Sequence, residues 1–128
     1  MQTILIADDN DDLREMFGQF LAANGYRVVG AADGHVAVGA AGREQPDLLV
    51  MDLGMPGMDG LSAVAEIRRQ AAAAEPPILI LSAYDRLEFR TEALSAGCVG
   101  FLAKPVEPAE LLATIRLLPP AGKGGSGV

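Results

Sequence analysis

Short apolar runs rich in β-branched residues alternate five times with longer stretches whose apolar residues recur every three or four positions. Thr3-Ile4-Leu5-Ile6-Ala7 is apolar without a period of two, which predicts a strand buried on both faces. Leu13, Met16, Phe17, Phe20 and Leu21 then fall at i, i+3, i+4, i+7 and i+8, one apolar stripe along a helix. Asn24-Gly25 ends that helix, since glycine adopts the left-handed conformation at low cost.

Tyr26 to Ala31 predicts the second strand, and Asp33 is a candidate N-cap for a helix running to about Arg43. The stripe of that helix is weak, because Val36, Ala37, Ala40 and Ala41 are small. After Pro46, Asp47 to Asp52 predicts a third strand that ends in an acid. A turn over Leu53 to Met58 leads to Asp59, another candidate N-cap, and to a helix from Gly60 to about Ala73. Pro76-Pro77 opens the fourth strand, Ile78 to Ser82. A fourth helix is expected from roughly Arg86 to Ala96, with Gly97 as its stop. Its stripe is poor (Leu87, Leu94 and small alanines), which marks it as the weakly held part of the fold. Val99 to Ala103 predicts the fifth strand. Pro108 suits the first turn of a last helix that turns Leu111, Leu112, Ile115 and Leu118 towards the sheet.

Short strands joined by crossover helices predict an α/β fold, with an open, doubly wound parallel sheet covered by helices on both faces. One domain over residues 1–118 accounts for the pattern. The Pro/Gly-rich stretch 119–128 has no core-forming residues and reads as a flexible tail, a linker, or an expression remnant.

Composition narrows the class. No apolar run approaches the ~20 residues that span a bilayer, and Met1-Gln2-Thr3-Ile4 lacks the basic start and long apolar stretch of a secretory signal. Cys98 is the single cysteine, so no disulfide forms within the chain and the cytoplasm is the expected compartment. It reads as a small packing residue. The net charge of −7 argues against direct nucleic-acid binding by this segment.

In an open parallel sheet the ligand site lies beyond the carboxyl ends of the strands. The first strand ends at Asp8 and Asp9, the third at Asp52, the fourth at Ser82, and the fifth at Lys104-Pro105; the second ends in Ala31-Ala32. Converging carboxylates repel one another, and each disfavours ionisation of the others unless a cation joins them. Mg²⁺ fits, because it takes one or two carboxylates and keeps positions for water and phosphate oxygens. A phosphoryl donor would complete that shell, with Asp52 as nucleophile giving an acyl phosphate. Lys104 would neutralise the phosphoryl oxygens, and the Ser82 hydroxyl would donate to one of them.

Taken singly, each residue has a structural explanation. A strand-end Asp is commonly a cap or turn residue, a strand-end Ser a turn former, and a Lys a solvated charge. Asp11 and Asp12 open the first helix, where negative charge favours the dipole, and read as structural. His35 has no partner ligand in the pattern and reads as a surface residue. The chain has ten cationic residues, and Lys104 and Lys123 are its only lysines. What favours chemistry is the joint placement of acid, acid, hydroxyl and amine at the ends of four strands.

These residues together, Asp8-Asp9, Met51-Asp52, Met55-Pro56-Gly57-Met58-Asp59-Gly60, Leu81-Ser82-Ala83 and Lys104-Pro105, resemble a CheY-like response-regulator receiver domain over about residues 3 to 118. The resemblance implies a flavodoxin-like strand order of 2-1-3-4-5. It implies Asp52 as phosphoacceptor, with Mg²⁺ held directly by Asp9, Asp52 and the Gly54 carbonyl, and by Asp8 through water. Ser82 takes the place of the switch hydroxyl, Phe101 that of the switch aromatic, and Lys104 that of the phosphoryl-binding lysine. The Lys104–Pro105 bond is expected to be cis, a state of only about one X–Pro bond in twenty in folded proteins. The implied donor is a phosphohistidine on a histidine kinase or histidine phosphotransfer protein. The implied recipient is an output domain or effector protein, reached through the face made by the fourth helix, fifth strand and last helix. A phosphorylation-dependent homodimer is a further possibility of the family. Such a domain is a signalling receiver rather than an enzyme, and catalyses only its own phosphorylation and dephosphorylation. Gly54 and Tyr84 depart from a plain match at positions that affect acyl-phosphate lifetime, so the resemblance leaves that lifetime open.

Two other readings compete. A haloacid-dehalogenase-like phosphatase also attacks with a strand-end Asp, but generally carries a second Asp two residues on, where this chain has Gly54. A degenerate receiver would act only as an interaction or dimerisation module, yet none of the acid, hydroxyl or lysine positions is lost.

Overall fold

The computed structural model describes residues 2–55, 57–71, 76–83, 91, 94–95 and 97–118. In chain order the elements are β1 (Thr3–Ala7), α1 (Asp11–Ala23), β2 (Arg27–Ala31), α2 (Gly34–Glu44), β3 (Leu48–Asp52), α3 (Gly60–Gln70), β4 (Ile78–Ser82), β5 (Gly100–Ala103) and α4 (Pro108–Leu117). The five strands form one parallel sheet in the order β2-β1-β3-β4-β5. The helix expected over Arg86 to Ala96 lies outside the described residues, except for Thr91, Leu94 and Ser95, which are helical. The 119–128 tail lies outside them as well.

Strand alternation builds two cores. Ile4 and Ile6 of β1, Leu48 and Val50 of β3, and Leu79 and Leu81 of β4 face one side, against Phe17 and Leu21 of α1 and Leu111, Leu112 and Ile115 of α4. Leu5 and Ala7, Leu49 and Met51, and Ile78 and Ile80 face the other, against α2 and α3. Both faces are therefore covered, which explains why these strands read as continuous apolar runs. Each fully buried Leu, Ile or Phe contributes roughly 1.5–3 kcal/mol of transfer free energy before the entropy of ordering is subtracted. The weak stripe of α2 is also accounted for. Ala37, Ala40 and Ala41 pack with Ala63, Val64 and Ile67 of α3 in one buried cluster, where small side chains permit a close approach.

Helix ends follow the sequence signals. The side chains of Asn10, Asp33 and Asp59 accept hydrogen bonds from the backbone N–H groups of Leu13, Val36 and Ser62 and cap α1, α2 and α3. Pro108 opens α4. Gly25 has φ +96°, and the N–H groups of Gly25 and Tyr26 donate to the Ala22 and Leu21 carbonyls, closing α1. This corrects the expected start of β2. The Tyr26 amide is committed to the helix end, so the strand begins at Arg27. None of the described helices is long and apolar enough to cross a membrane.

Candidate functional site

β1 delivers Asp8 to the carboxyl edge of the sheet, where its N–H donates to the Ala31 carbonyl at 3.0 Å. Asp8 is almost fully buried, and both carboxylate oxygens are engaged. Oδ1 accepts the Asn10 N–H at 2.9 Å, and Oδ2 accepts from Lys104 Nζ at 2.8 Å. Asp9, the next residue, is exposed, and among the described residues no donor reaches its carboxylate. β3 places Asp52 beside them, also buried, with the Gly54 N–H donating to its Oδ1 at 3.3 Å and Lys104 Nζ 3.6 Å from that same oxygen. One carboxylate oxygen from each of Asp8, Asp9 and Asp52 lies within 4.8 Å of the others.

Burial pushes the Asp52 carboxyl above its ordinary value. The Lys104 charge and the Gly54 N–H oppose that rise, while the negative charges of Asp8 and Asp9 add to it. Three carboxylates cluster here and one ammonium pairs with two of them, so the basin holds an excess of negative charge when all are ionised. Its donors are hard oxygens, and the Asp9 carboxylate opens to solvent. That donor set fits a small divalent cation such as Mg²⁺.

The remaining predicted residues come from the other strand ends. Lys104 follows β5, its N–H donating to the Ser82 carbonyl at 2.7 Å, and its bond to Pro105 is cis. Ser82 ends β4, is fully buried and stands opposite Ala103. Phe101 lies within β5 opposite Ile80 and packs against the core on the α2–α3 side. Tyr84 lies outside the described residues.

Backbone contacts hold the β3–α3 turn tightly. A Cβ on Gly60 would stand 2.6 Å from the Asp52 carbonyl oxygen and 2.7 Å from Leu53 Cα. The Gly60 N–H donates to the Leu53 carbonyl at 3.1 Å, closing the turn behind Asp52. A Cβ on Gly34 would collide with the Met58 carbonyl oxygen, so α2 can approach the same turn this closely only with glycine there.

Two neighbours of the acids were not legible as such in the sequence. Asn10 both caps α1 and gives its N–H to Asp8. Arg14 donates from Nη1 to the Asp8 carbonyl at 2.8 Å, and its stem crosses β2 at Gly30. The available signal was Gly30, since glycine inside a strand often marks a close approach by another group.

The model of the response regulator receiver domain family matches residues 4–116. Response regulator MprA of Mycobacterium leprae is 41% identical over 115 residues, which are 90% of this chain and 50% of that protein. This chain thus spans about half the length of such curated relatives. Among solved structures, Vibrio cholerae chemotaxis protein CheY4 superposes with a TM-score of 0.85 at 34% identity, covering 91% of this chain and 97% of that one. The N-terminal receiver domain of Klebsiella pneumoniae RstA gives 0.81 at 29% identity, covering 90% and 96%. By these likenesses, the chain belongs to the response regulator receiver domain family.

Proposed function

We propose that Asp52 accepts a phosphoryl group from a phosphohistidine of a histidine kinase or histidine phosphotransfer protein, with Mg²⁺ in the adjoining basin. The observation that carries this reading is the meeting of Asp8, Asp9 and Asp52, with the Lys104 ammonium paired to Asp8 and Asp52. An Asp52 oxygen forms the bond to phosphorus as the phosphorus–nitrogen bond of the donor breaks, and the histidine nitrogen keeps the electron pair. Burial raises the affinity of Asp52 for its proton and hence its basicity as a carboxylate, while Lys104 favours the ionised form needed for attack. Lys104 and the Ser82 hydroxyl stabilise charge on the transferring oxygens. Asp9, Asp52 and the Gly54 carbonyl would hold the metal directly, with Asp8 acting through water, and a metal there would supply positive charge to the phosphoryl oxygens.

The phosphoryl group adds about −1.5 to −2 charges at neutral pH. Ser82 and Lys104 move towards it, and the face made by the helix expected from the sequence over Arg86 to Ala96, β5 with Phe101, and α4 changes shape. That change controls an output domain or effector protein in the cytoplasm. Residues 1–118 form the receiver unit, and 119–128 serve as tail or linker.

Mass spectrometry after incubation with acetyl phosphate and Mg²⁺ tests the proposal. One phosphoryl adduct is expected on the native chain and none on Asp52→Asn. Rapid release of phosphate from many unrelated esters, with no adduct, would instead favour the phosphatase reading.

A further inference from the structure

We propose that Arg14 is a positioning residue for the acidic basin, held across Gly30 so that its guanidinium fixes the turn that aims Asp9 at the metal. The inference rests on the metal-binding reading above. Asp8 is tied at several points. Its N–H donates to Ala31, its carboxylate accepts from Asn10 and Lys104, and its carbonyl accepts from Arg14 Nη1 at 2.8 Å. Asp9 is the next link in the chain and has no such ties of its own among the described residues. The position from which its side chain leaves the backbone is set in part by the peptide plane between Asp8 and Asp9, and Arg14 is the side chain that holds that plane through its oxygen.

Arg14 is itself held. Nη2 pairs with Asp11 Oδ1 at 2.6 Å. Its stem passes so close to β2 that a Cβ at position 30 would stand 3.2 Å from Arg14 Cδ and 3.4 Å from Nε. Gly30 thus leaves a track for the arginine: a Cβ there requires the Arg14 stem to give by a few tenths of an ångström, and a branched side chain requires it to shift further.

Geometry and charge predict opposite outcomes. If Arg14 acted only as a positive charge near the basin, its removal would make the basin more negative and tighten cation binding. As a positioning residue, its removal loosens Asp9 and weakens binding, and loss of such supporting partners typically costs about 10–100-fold in metal affinity.

The test is Mg²⁺ and Mn²⁺ affinity by calorimetry on the native chain, Arg14→Met, Gly30→Val and Asp9→Asn, with metal-free thermal unfolding of each. Arg14→Met is expected to raise Kd about 10-fold. Gly30→Val keeps every charge and adds a residue favoured in strands, so the fold is retained. It is nevertheless expected to weaken binding several-fold. Unchanged or tighter binding in either variant overturns the inference while leaving the metal site standing. Absence of binding to the native chain, or full binding to Asp9→Asn, overturns the underlying site and the inference with it.

Discussion

Lys104 stands closer to Asp8 than to Asp52, its Nζ 2.8 Å from Asp8 Oδ2 and 3.6 Å from Asp52 Oδ1. One ammonium thus serves two buried carboxylates, and neither replacement of it nor competition for it is local. Without a metal, Lys104→Met leaves both acids uncompensated. Removing one partner of a buried pair costs about 3–5 kcal/mol, and the partial exposure of Lys104 reduces this to about 2–3 kcal/mol. Urea unfolding in EDTA checks it. Added Mg²⁺ should stabilise the variant more than the native chain, because it restores the missing charge.

Asp52 makes the fold pH-dependent in an unusual direction. Its carboxyl titrates above the ordinary 3.8, chiefly through burial, so the folded state holds that proton more tightly than the unfolded state does. Between the two values the folded state binds more protons, and this residue's contribution to stability falls as pH rises. Above the raised value the whole penalty is present. Asp52→Asn is therefore expected to melt a few degrees higher than the native chain at pH 7, with the difference vanishing below the ordinary carboxyl range. A lower melting temperature at pH 7 would show that the Lys104 pairing outweighs burial.

A divalent cation relieves the same penalty by favouring the ionised acids. A cation at 100 times its Kd stabilises by about 2.7 kcal/mol. Thermal unfolding should shift upwards with Mg²⁺, return with EDTA, and shift little in Asp9→Asn, which lacks the solvent-facing carboxylate.

Gly60→Ala tests the turn behind Asp52. The added methyl would stand 2.6 Å from the Asp52 carbonyl oxygen, a backbone atom that moves only with the strand end. Overpacking of this kind costs about 1–3 kcal/mol, and the displaced Asp52 should slow adduct formation with acetyl phosphate. Equal rates in Gly60→Ala and the native chain would separate the turn from the chemistry.

The strands were legible because burial on both faces leaves each as an unbroken apolar run, with Leu48 to Met51 and Ile78 to Leu81 as the plainest cases. The acid, hydroxyl and amine positions were legible from strand ends alone, since parallel strands bring their carboxyl ends to one edge. Pairing inside the basin was not. Nothing in the order of residues sets Lys104 nearer to Asp8 than to Asp52, because that depends on the sheet's register and on Asn10 anchoring the opposite oxygen. Arg14 was equally opaque, being one of several polar positions on α1 until Gly30 is seen beneath it.

The direction of α4 has a consequence for whatever is joined to the chain. It starts beside Lys104-Pro105 and runs back along the sheet, and its ten residues rise about 15 Å, close to the ~17 Å of a five-residue strand. Leu118, just past its end, packs against the same buried layer as Ile4 and Leu48. The end of α4 is therefore the end remote from Lys104-Pro105, and whatever is joined there departs from the helix terminus opposite the one beside the lysine.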